Sequence, residues 1–88
     1  MTTVDSWPVE ISLNEEDGNT RAEARLARDG AGMTGHGLAR RHPEDQEVTQ
    51  IGEEIAAARA LSDLAHQLLS GAAGQIEGIT HQRVHLAL

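Results

Sequence analysis

Eighty-eight residues carry 14 acidic side chains against seven arginines and no lysine, giving a formal net charge of −7, and they include no cysteine. This length confines the chain to one domain with a thin stability margin, and the missing cysteines exclude disulfides, thiolate catalysis and Cys-ligated zinc. The negative total repels phosphate backbones at long range, which argues against general nucleic-acid binding and leaves no DNA partner to expect.

Residues 1–6 read as a flexible N-terminus, and residues 7–88 as a single domain. Residues 1–5 show neither the basic region nor the apolar run of a leader. From Trp7 the pattern alternates, with Val9, Ile11 and Leu13 on one side and Glu10, Ser12 and Asn14 on the other, as in a half-buried strand. Asp17-Gly18 between alternating segments predicts a hairpin. The second strand continues with Ala22, Ala24 and Leu26 inward and Arg21, Glu23 and Arg25 outward. Asp29-Gly30-Ala31-Gly32 then turns the chain into a third strand, Met33 to Arg41. If Leu38 faces the helix, Thr34 and His36 share its face, and Gly35, Gly37 and Ala39 line the other. Glycines at alternate strand positions mark a close approach by a partner subunit, the chain's own tail or a nucleic-acid backbone, or else a bulged edge strand.

His42-Pro43-Glu44-Asp45-Gln46-Glu47 reads as a polar loop. A helix begins near Thr49, with Glu53 and Glu54 in its first turns, and is expected to end near Leu69, before Gly71. Projected helically, Ile51, Ile55, Ala58, Ser62, Ala65 and Leu69 form an apolar stripe that Ala57, Leu61, Leu64 and Leu68 widen. Glu53, Ala56, Arg59, Ala60, Asp63, His66 and Gln67 take the other half. An arc this wide exceeds what one sheet covers, so the helix is expected to make a second contact, with the tail or another subunit. Gln75–Ile79 reads as a short helical turn. Alternation at Val84, Leu86 and Leu88 reads as an additional strand, intramolecular or exchanged with a neighbour, or as a frayed tail. The fold class is therefore α+β, a three-stranded antiparallel meander packed against one long helix (βββα). No segment approaches the roughly 18 apolar residues of a membrane span.

The apolar set is mostly Ala, Leu, Ile and Val, with Trp7 the single aromatic residue. Small alanine-rich cores often gain burial from a partner, which predicts a homodimer. A secreted domain of this size usually carries disulfides, so their absence points to the cytoplasm. His81 and His85 stand four apart, but two ligands do not make a zinc site. No serine lies in a nucleophile elbow, the acids at residues 15–17 sit in a turn, and the glycine pairs lack the lysine and helix of a phosphate loop. The expectation is a non-enzyme with no cofactor and no metal. The remaining chemistry lies in Arg21, Arg25, Arg40 and Arg41, which form either a phosphate-contacting surface or cross-strand ion pairs with Glu10 and Glu23. Gly35, Gly37, Leu61, Leu64 and Leu68 are the candidate interface residues.

The segments Trp7-Pro8-Val9-Glu10-Ile11, Thr20-Arg21-Ala22-Glu23-Ala24-Arg25-Leu26, Gly35-His36-Gly37-Leu38-Ala39-Arg40, the run from Ile51 to Leu64 and Ile76-Glu77-Gly78-Ile79-Thr80-His81 resemble an actinobacterial family of small proteins of unassigned function. The resemblance spans nearly all of residues 7–86. It implies a double-stranded-RNA-binding-domain-like fold and dimerisation. It also implies a link to stress and dormancy, with a proposed role at the ribosome like that of hibernation-promoting factors. The chain departs from the polybasic character of those factors in having no lysine and an acidic total.

Overall fold

A computed structural model describes residues 3–28, 30–41 and 49–88. Three strands, β1 (Val9–Glu16), β2 (Asn19–Arg28) and β3 (Ala31–Arg40), are followed by one helix, α1 (Thr49–Thr80). The strands form an open antiparallel sheet in the order β1-β2-β3, the βββα arrangement that the alternation predicts. The first turn is the two-residue type the sequence calls for. Asp17 and Gly18 have φ of 53° and 78°, the left-handed pair whose twist matches the flanking strands. The proline-containing segment 42–47 lies outside the described residues.

Cross-strand register fixes the faces. Val9, Ile11 and Leu13 stand opposite Leu26, Ala24 and Ala22, and these in turn stand opposite Met33, Gly35 and Gly37. The helix side of β3 is therefore Met33, Gly35, Gly37 and Ala39, while Thr34, His36, Leu38 and Arg40 face outward. This reverses the expected assignment of β3, and the reason is steric. A Cβ on Gly35 would collide with the Ala60 carbonyl oxygen and the Leu64 backbone nitrogen, and one on Gly37 would collide with the Ala56 carbonyl oxygen and the Ala60 nitrogen. The close approach implied by the glycines is made by the chain's own helix, lying almost backbone to backbone on β3. At Gly52, an added Cβ would stand 2.9 Å from Thr20 Oγ1, so the same tight fit extends to the start of α1.

The buried face of α1 follows from this contact. Ala56 and Ala60 are fully buried and Leu64 nearly so, completing a core with Ala22, Ala24, Leu26 and Ala39. Helical projection of the sequence puts Ala56 and Ala60 on the outer half, which this contact reverses. The stripe that projection turns inward, starting at Ile51, Ile55 and Ala58, lies roughly 180° from Ala60 at about 100° per residue. Bulk misleads here, because a helix seated on glycine has room for alanine and none for isoleucine.

The helix also runs past its expected stop. Gly71, Gly74 and Gly78 are all helical, so the separate turn expected at residues 75–79 is the end of α1 itself. Termination falls to His81, whose φ of 59° is the left-handed conformation of a C-terminal cap. His81 N–H donates to the Glu77 carbonyl at 2.8 Å, and Thr80 Oγ1 donates to the Ile76 carbonyl at 3.0 Å. Beyond it, residues 81–88 form no strand with the sheet. The Val84 N–H instead donates to Glu77 Oε2 at 2.9 Å. At about 1.5 Å per residue the 32 residues of α1 span about 48 Å, against about 33 Å for a ten-residue strand, so the helix outruns the sheet.

Candidate interaction surface

The outer side of α1 carries apolar side chains that its packing leaves in solvent. Ile51 is 54% exposed, Ile55 40%, Leu61 42%, Ile76 38% and Ile79 80%. Ala58 and Ser62 between them are exposed, and Ala65, Leu69 and Ala72 are half-buried. A second apolar area adjoins on β1. Val9, Ile11 and Leu13 point to the helix side of the sheet, but α1 sits over β2 and β3 and barely reaches them, so all three remain exposed. Trp7 and Arg28 extend this row, the guanidinium carbon standing 4.0 Å from the ring centroid in a cation–π contact.

The two sheet edges are treated differently. On β3 the outward-pointing backbone groups are bonded by a polar ladder from α1. Arg59 Nη1 donates to the Leu38 carbonyl at 2.6 Å, His36 N–H donates to Asp63 Oδ2 at 2.7 Å, and Gln67 Nε2 donates to the Thr34 carbonyl at 2.7 Å. Four helical residues rise about 6 Å and two strand residues about 6.6 Å, so one helix face tracks one strand edge. The sequence spacing carries this signal, Arg59, Asp63 and Gln67 at successive steps of four, but the same residues pass for an ordinary solvated face. On β1 the Pro8 carbonyl accepts from Ala27 N–H, which assigns even-numbered residues to the ladder with β2. Val9, Ile11, Leu13 and Glu15 thus direct their backbone groups to an edge that has no neighbouring strand among the described residues.

Of the predicted interface residues, Gly35, Gly37 and Leu64 are consumed by the contact between α1 and the sheet, and Leu68 packs against the same core. Leu61 remains open. Among the arginines, Arg21, Arg25 and Arg40 share the outer sheet face, on the side away from α1. Arg25 donates across the strand pair to Ser12 Oγ at 2.9 Å and approaches Glu23 of its own strand at 3.8 Å, contacts that differ from the cross-strand arginine–glutamate pairs expected from the sequence. Arg41 lies past the end of β3, its side chain against Gly18 and its N–H donating to the Gly18 carbonyl at 3.0 Å. A hollow of about 240 Å³ on the outer face is lined by Arg21, Glu23, His36 and Leu38. Among the described residues, no three His, Asp or Glu side chains gather as a metal site would require, and no helix is long and apolar enough to cross a membrane.

Comparison with known proteins places relatives beside this architecture. A family model described as Rv2632c-like matches residues 5–85. The chain is 51% identical over 76 residues to the uncharacterized protein Rv2632c of Mycobacterium tuberculosis, covering 86% of this chain and 82% of the relative. It is 46% identical over 80 residues to the uncharacterized protein Mb1767 of Mycobacterium bovis, covering 91% and 85%. The crystal structure of Rv2632c superposes with a TM-score of 0.84 at 47% identity, covering 92% of this chain and 96% of that one.

Proposed function

The chain belongs to the Rv2632c-like family, and we propose that it acts as a non-catalytic interaction module of the cytoplasm whose working form is a homodimer. The observation that carries this reading is the outer stripe of α1. A small domain whose own core is mostly alanine, with Leu26 and Leu64, presents its isoleucines outward, where they contribute to stability only once another surface covers them. Sedimentation equilibrium on nuclease-treated protein tests the reading. The expected species has twice the 9.4 kDa chain mass, and a monomer persisting across the micromolar range rules it out.

A second reading has its own support. Arg21, Arg25 and Arg40 share a sheet face that no other element among the described residues covers, and the double-stranded-RNA-binding-domain-like fold that the sequence resemblance implies extends this to a ribosome or RNA contact under stress or dormancy. Glu23 and the acidic total oppose it. Under this reading, co-sedimentation with ribosomes falls steeply with salt, and Arg21→Ala with Arg25→Ala weakens it at least tenfold. Binding that ignores both salt and the substitutions removes these arginines from any such role.

A further inference from the structure

Resting on the homodimeric reading and deepening it, we propose that two copies pair through the outer stripes of α1 as antiparallel helices, about a dyad passing between Asp63 and Leu64. The stripe recurs at alternating steps of four and three, through Ile51, Ile55, Ala58, Ser62, Ala65, Leu69, Ala72 and Ile76, the spacing of a helix-pairing seam. Ala56, Ala60 and Leu64 occupy the opposite side of α1, so the seam faces away from the sheet, with Ile51, Ile55, Ala58, Ser62 and Ile76 exposed and Ala65, Leu69 and Ala72 half-buried.

The order of residues in the seam identifies the occupant as a second copy of the same helix. Laid antiparallel about that dyad, Ile51 meets the partner's Ile76, Ile55 meets the partner's Ala72, Ala58 meets the partner's Leu69 and Ser62 meets the partner's Ala65. Bulk stands against small side chains in the inner layers, a pair of isoleucines closes each end, and the small centre lets the backbones approach. A parallel pairing would instead set Ala58, Ser62 and Ala65 each against its own copy, opening voids between bulky layers. The flanks agree with the antiparallel arrangement. Leu61, exposed in the single chain, falls beside the partner's Leu68, and Glu54 falls beside the partner's Gln75, so no two acids meet. The length of α1 is accounted for as well. Its midpoint lies between residues 64 and 65, within about one residue of the dyad, and the turns that outrun the sheet are matched by a helix of equal reach.

Because the chain has no cysteine, disulfide trapping reads this register directly. Two single variants, Ala58→Cys and Leu69→Cys, are oxidised separately and as an equimolar mixture. In the proposed pairing, each thiol lies roughly 16 Å along the axis from its own copy but level with the other, so only the mixture forms a covalent dimer. Self-linking of Ala58→Cys would establish a parallel pairing and overturn the proposal. A dimer by sedimentation that yields no mixed disulfide overturns this pairing while leaving the dimeric reading in place, whereas a monomer removes both. Ile55→Glu gives an independent check that leaves the sheet-facing side of α1 untouched. It is expected to raise the dimer dissociation constant at least tenfold with helix content unchanged, and an unaltered constant overturns the proposal.

Discussion

On the side of α1 that meets the sheet stand Ala56, Ala60 and Leu64; on the side that meets water stand Ile51, Ile55 and Ile76. An ordinary amphipathic helix distributes bulk the other way. The difference comes from the surface beneath. Gly35 and Gly37 give β3 a floor with no side chains, and the helix settles until its own carbonyls limit the approach. Close backbone contact replaces side-chain volume as the means of excluding water, and the bulky residues are left for the outer side.

The sharpest way to break this contrast is to put volume under the helix. Gly37→Val should cost about 3 kcal/mol or more, since the added carbons meet backbone on both sides of Ala56 and Ala60, and circular dichroism should show loss of the cooperative thermal transition. A native-like melting curve would mean that α1 does not rest on β3. Next in size is a matched pair of truncations across the helix. Leu64→Ala is expected to cost about 2–4 kcal/mol at every protein concentration, because its side chain is almost wholly buried within one chain. Ile55→Ala should instead have little effect in dilute protein, and its cost should appear only as concentration rises into the dimer range. Equal, concentration-independent losses at both positions would erase the distinction between the sides. The smallest effect belongs to the polar ladder. Asp63→Ala removes the acceptor for the exposed His36 N–H and is expected to cost about 0.5–1.5 kcal/mol, measured by urea denaturation. The same variant should speed amide exchange at His36, and unchanged exchange there would deny the ladder its part in closing the β3 edge.

The strand order, the Asp17-Gly18 turn and the existence of one long helix were legible because each rests on a local rule: period-two alternation, a left-handed turn pair and helical periodicity. Orientation about the helix axis was not. Ile51, Ile55 and Ala58 make the stronger apolar stripe, and periodicity alone cannot say which of two apolar arcs is covered. The glycines held the answer, since alternate strand positions without side chains mean that something lies close above, and the covering helix is then the one offering small residues at matching intervals. The helix end was missed for a related reason. Glycine lowers helix propensity by about 1 kcal/mol without stopping a helix, and Gly71, Gly74 and Gly78 keep helical φ, so α1 ends where the backbone turns left-handed, at His81. Alternation places Arg21 and Arg25 on the outer face of β2, whereas Arg40 changes sides with the rest of β3, and the hydrogen bond from Arg25 to Ser12 depends on cross-strand register.

The bare floor of β3 makes the fold's tolerance to substitution one-sided. At Gly35 and Gly37 every replacement adds atoms, and at Ala56 and Ala60 only glycine does not. A core of leucines can lose a methylene and relax around the gap; this seat has only the methyls of Ala56 and Ala60 to lose and is otherwise wedged apart. Random change along these positions therefore pushes in a single direction, toward lifting the helix off the sheet.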